Sequence, residues 1–198
     1  MAPILGILAS GISGHLFNPT GNYYSIATTT VGSGGTSTIT FSSIPSTYTH
    51  LQLRFFIQET RGDYGIAGAN MTFNSDTGTN YSYHQINGDG SSAGAGSGSS
   101  QNSMRICDGD FGTNQATGGL VFGVGVLDIL DYTNTNKYKV IRHLSGVDIN
   151  GTVLSVGGRV GLFSGLWMNT NAITSISITP NGGSDFRQYS QVALYGVK

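Results

Sequence analysis

Charge is what this chain has least of. Of its 198 residues only 10% are Asp, Glu, Lys or Arg, and nine basic residues against ten acidic ones leave a net charge of −1. An average globular domain carries about a quarter of its residues as charges. A nucleic-acid surface needs clustered Lys and Arg to neutralise phosphates, and the few charges here are scattered, so neither nucleic acid nor an anionic membrane surface is an expected partner. So few charges also give weak repulsion between free copies, which suits a subunit covered by partners better than a free monomer.

Cysteine is nearly absent. The lone Cys107 excludes an intrachain disulfide and a multi-cysteine zinc site, and it reads as a small buried filler of the strand around 104–107. The four histidines, His15, His50, His84 and His143, form no H-x-x-x-H or H-x-H pair, so zinc lacks its usual local scaffold. There is a single glutamate, Glu59. Glycoside hydrolysis needs two carboxylates flanking one bond, and the pairs Glu59 with Asp63 and Asp128 with Asp131 cannot be assigned to one cleft from sequence. Asp63, Asp76 and Asp131 read as turn residues bonding local backbone. Asp108-Gly109-Asp110 and Asn87-Gly88-Asp89-Gly90 offer oxygen ligands without the spacing of a calcium loop. No G-x-S-x-G elbow occurs, and no Lys-Ser/Thr follows the glycines at 88–90 to make a phosphate loop. The expectation is a protein with no catalytic residues, no metal and no cofactor.

Long apolar runs are missing too. None approaches the roughly 18 residues of a membrane-spanning helix. The N-terminal stretch is apolar but short and lacks a positive flank, so a signal peptide is not expected. No helix-period stripe and no internal repeat is present.

Glycine, by contrast, is abundant, with 31 residues, alongside many Ser, Thr and Asn. Gly and Asn supply turns while Thr, Val, Ile and Tyr supply strands. Strand signals recur about every eight to fifteen residues from Tyr23 onward. They cover 23–31, 36–41, 48–58, 69–73, 80–86, 104–107, 118–130, 137–147, 153–163, 172–179 and 189–197. The clearest is 48–58, where Leu51, Leu53, Phe55 and Ile57 alternate with Gln52, Arg54 and Gln58, the pattern of an antiparallel sheet with one buried face. In 118–130, Gly123 and Gly125 signal a bulge or a close backbone approach. Residues 88–103, almost wholly Gly, Ser, Ala and Asn, read as an exposed mobile loop.

The predicted fold is therefore all-β: an antiparallel β-sandwich of about nine to eleven strands, jelly-roll-like, over residues 23–198. Residues 1–22 form a short extended arm whose Ile4, Leu5, Ile7, Leu8, Leu16 and Phe17 are too apolar to leave in water. They fold back on the domain or dock on a neighbouring subunit. The ten tyrosines offer a second candidate surface. Exposed tyrosines beside Asn and Ser suit sugar stacking or a protein interface, with Tyr81 and Tyr83 as the candidate glycan or receptor contacts. The alternative is that most tyrosines cap the core edges.

Six blocks in order carry a resemblance. They are 39–54 (ITFSSIPSTYTHLQLR), 80–84 (NYSYH), 128–139 (DILDYTNTNKYK), 165–170 (GLWMNT), 172–176 (AITSI) and 193–197 (ALYGV). Together they make the chain similar to a family of tailed-bacteriophage virion proteins, small β-sandwich modules of tail fibres and other particle-surface proteins. The resemblance implies a non-enzymatic structural role in the virion, with other virion proteins as partners and no enzymatic residues to carry over. It also implies a homo-oligomer, with a trimer usual for such appendages although nothing in the sequence fixes the number. Two placements fit: a tail-fibre, receptor-binding or baseplate-associated module, or a capsid decoration (cement) protein with its arm on the shell. A carbohydrate-binding module, with a host-surface glycan as partner, is the third reading.

Overall fold

A computed structural model describes residues 21–61, 66–113, 121–153 and 156–198. These residues form two packed layers of β-strands. The strands in chain order are β1 (Tyr23–Thr30), β2 (Ile39–Phe41), β3 (His50–Glu59), β4 (Ile66–Phe73), β5 (Tyr81–Gly88) and β6 (Ala93–Gln101). They continue with β7 (Met104–Thr113), β8 (Gly123–Leu130), β9 (Lys139–Val153), β10 (Val156–Trp167), β11 (Ile176–Pro180) and β12 (Gln191–Val197).

The large layer runs β1-β12-β3-β8-β9-β10-β5-β6, every pair antiparallel. The small layer runs β2-β11-β4-β7, also antiparallel. The layers meet at one end, where Gln58 and Glu59 of β3 pair in parallel with Gly112 and Thr113 of β7. The predicted β-sandwich is thus the fold, with layers of unequal size.

Alternation on β3 builds the core. Leu51, Leu53, Phe55 and Ile57 all point between the layers and are buried, while Arg54 and Phe56 point outward and are exposed. Each such aliphatic or aromatic side chain contributes about 1.5–3 kcal/mol on full burial. Facing them from the small layer are Ile39, Phe41, Met71, Phe73, Ile176 and Ile178. Gly125 answers the sequence signal as a close approach, since a Cβ there would lie 2.3 Å from the Phe55 ring. The Cys107 thiol is buried, and the backbone N–H of Ala69 donates to its Sγ at 2.8 Å.

One stretch read as a loop is a strand. Residues 93–101 form β6, the edge of the large layer, in register with β5 from Gly88↔Ala93 to Tyr83↔Gly98, with a bulge before Tyr81↔Gln101. Apolar content gave no hint of it, because an edge strand is held by main-chain hydrogen bonds and need bury little. The alternation of Gly94, Gly96 and Gly98 has a steric cause. Those positions lie beneath the side chains of Asn87, Gln85 and Tyr83, and a Cβ would come to 2.8, 3.1 and 2.6 Å of them respectively.

Candidate functional site

The arm residues Ile4, Leu5, Ile7, Leu8, Leu16 and Phe17 lie outside the described residues, as do Asp63 and Tyr64. The side chains of Asp108 and Asp110 are likewise not described.

Tyr81 is not a surface residue. Its side chain is fully buried, stacked on Trp167 with ring centroids 6.4 Å apart and packed beside Phe73. Its hydroxyl accepts the Phe73 N–H at 3.0 Å and donates to the Asp76 carbonyl at 3.0 Å. Burial pushes its pKa up to about 12. A sugar has no face of this ring to stack on, so the glycan-contact reading is corrected for Tyr81: a strand-end tyrosine beside a turn here closes the core. Tyr83 is half-buried, its ring capped by the Arg105 guanidinium at 5.8 Å. Among the described residues, the most exposed tyrosines are Tyr23, Tyr138 and Tyr189.

Four of the described carboxylates are engaged in structure. Asp76 accepts from Trp167 Nε1 at 2.8 Å, from Asn80 and from the Gly78 backbone, and these bonds outweigh its desolvation and lower its pKa. Glu59 is buried, bonded to Arg61 at 3.0 Å and to the Ser184 hydroxyl. Asp131 pairs with Lys137 and His50. Asp89 accepts from the Ser91 and Ser92 backbones within its own turn. Among the described residues no three His, Cys, Asp or Glu side chains are grouped to hold a metal ion.

What stands out is the outer face of the large layer. Antiparallel registers place its outward side chains in rows across the strands. One row reads Arg54, Val126, Leu144, Leu162, Ile86 and the next reads Phe56, Val124, Gly146, Val160, Gly88. A third, polar row reads Gln52, Asp128, Arg142, Ser164, His84, and a fourth reads His50, Leu130, Val140, Leu166, Ser82. Val124, Val160 and Ile86 are 57%, 55% and 60% exposed, and Phe56, Leu130, Val140, Leu144 and Leu162 are also exposed. Strands whose second face meets water normally carry polar residues there, and a contiguous apolar patch of this kind marks an interaction surface.

Hydrogen bonds tie the polar row together. Arg54 Nε donates to Gln52 Oε1 at 2.8 Å, Gln52 Nε2 to Asp128 Oδ1 at 2.8 Å, and Arg142 Nη2 to Asp128 Oδ2 at 3.0 Å. The Arg54 guanidinium sits 5.2 Å from the ring centroids of both Tyr23 and Tyr195. The sequence carried a trace of this surface in Phe56, the one residue of β3 that breaks the alternation, and in the apolar residues of β8 on either side of Asp128. The chain matches no protein-family model, no curated protein and no solved structure.

Proposed function

We propose that the chain is a non-enzymatic structural protein of a tailed-bacteriophage particle, an exposed appendage module of the tail-fibre, receptor-binding or baseplate-associated kind. One observation carries the reading: the apolar outer face of the large layer, which no other described residues cover and which an assembly would bury. The sparse charge and the six sequence blocks support it. Glu59, one of the carboxylates a glycosidase reading would need, is buried and bonded to Arg61 and Ser184, which favours a structural role for it.

Mass spectrometry of purified particles tests membership, and antibody labelling in electron micrographs tests placement. The protein is expected in the particle at a fixed stoichiometry, with label on the tail. Label spread over the head would make it a capsid decoration protein instead. Absence from washed particles would end the virion reading altogether.

A further inference from the structure

The outer face of the large layer divides evenly about its midline. Four strands, β1, β12, β3 and β8, lie on one side and four, β9, β10, β5 and β6, on the other. Across the β8–β9 seam, Val126 stands opposite Leu144, Val124 opposite Gly146, Asp128 opposite Arg142, and Leu130 opposite Val140.

We propose that this face is the interface between two copies of the chain, related by a two-fold axis running along the strands between β8 and β9. Rotation about that axis lays each outward residue on the partner residue at the same height across the seam, the self-complementary arrangement of an isologous contact. Asp128 then meets the partner's Arg142, and Arg142 the partner's Asp128. The pair that each copy already makes at 3.0 Å becomes a closed ring of alternating charges. The Val124 side chain enters the hollow above the partner's Gly146, where no side chain stands, and Val126 meets the partner's Leu144. One strand further out in the same row as Val124, Phe56 meets the partner's Val160.

Size agrees with this occupant. Eight strands at about 4.8 Å spacing and four rows of outward residues make a face of roughly 38 by 25 Å. A stable two-chain interface takes about 800 Å² from each partner. Layers stacked with their strands nearly aligned are also how β-sheets pack face to face. Arg54, on the same strand as Phe56, faces the partner's Leu162 and is held by its two tyrosine rings. The inference uses the same face as the virion reading but not the virion itself, so the purified chain decides it.

Sedimentation velocity on the full-length chain across micromolar concentrations is the test. The wild type is expected at twice the chain mass, and Leu144→Lys or Val160→Lys at one chain mass with unchanged circular dichroism and thermal unfolding. Asp128→Arg and Arg142→Asp are each expected to weaken dimerisation at least tenfold. An equimolar mixture of these two variants should dimerise again, because the axis places each new charge against its opposite. A monomeric wild type overturns the proposal, and so does a larger oligomer indifferent to Leu144→Lys. A mixture that stays monomeric overturns the axis. A wild type that is monomeric until residues 1–20 are deleted would assign the face to the chain's own N-terminal segment, and the two-copy interface would fail.

Discussion

His143 stands inside the sandwich between the Phe55 and Phe163 rings, with centroids 5.9 and 4.7 Å away. Neither ring nitrogen has a hydrogen-bond partner among the described residues. Burial disfavours its charged form and pulls its pKa down from 6.5 to about 3. The unfolded chain therefore binds a proton between those values that the folded chain refuses. His143 leaves stability untouched above about pH 7 and drains it as pH falls from 6.5 toward 3, by up to about 1.4 kcal/mol per unit. Urea unfolding of His143→Leu is expected to show a flatter stability profile than wild type between pH 6 and 4; an unchanged slope would remove His143 as the cause. Lys139 is also buried, its ammonium donating to the carbonyls of Asn134, Lys137 and Thr170. It ties the turn after β8 to the loop after β10, so Lys139→Met should cost about 3 kcal/mol in chemical unfolding. Tyr81→Phe, which strands the Phe73 N–H, should cost about 1–3 kcal/mol. Host adsorption should respond to Tyr81 substitutions only through lost folding.

At the scale of elements, strands that bury side chains were legible and strands that bury almost none were not. The register of β3 follows from its alternation alone, because a one-residue slip would exchange Leu51, Leu53, Phe55 and Ile57 for Arg54 and Gln52 in the core. β6 is held by its backbone. Its only side-chain signature is the period-two glycine set at 94, 96 and 98, which a count of apolar residues cannot register. Gly98→Val tests that explanation, since its Cβ would strike the Tyr83 ring. Hydrogen exchange should show β6 amides losing protection while the global unfolding midpoint moves by only a few degrees. Gly125→Ala acts on the core instead, against the Phe55 ring, and is expected to cost about 1–3 kcal/mol. The turn at Asn74 and Ser75, both at positive φ, was also foreseeable, since Asn tolerates that conformation. Its deeper role was not: Asn74 Oδ1 accepts from the backbones of Thr174 and Ser175, 100 residues on. No local pattern records a contact of that span.

For the whole molecule, the sandwich could be read from the sequence and its working surface only in part. Tyrosines near turns drew attention to Tyr81, which the core absorbs, because a large amphipathic ring satisfies its hydroxyl as well inside a fold as on its surface. The apolar outer face was hidden for the opposite reason. Val124, Leu144 and Val160 read as core residues until the pairing of β8, β9 and β10 turns them to one side, where no layer of the described residues stands above them. A low-charge chain with such a face is built to be covered. Hydroxyl-radical footprinting at the seam measures that most directly, comparing the wild type with Leu144→Lys at equal concentration. The account predicts slow oxidation of Leu130, Val140 and Val160 in the wild type and fast oxidation in the variant. Equal, fast oxidation in both would mean that the face stays in water, and the assembly role would be contradicted.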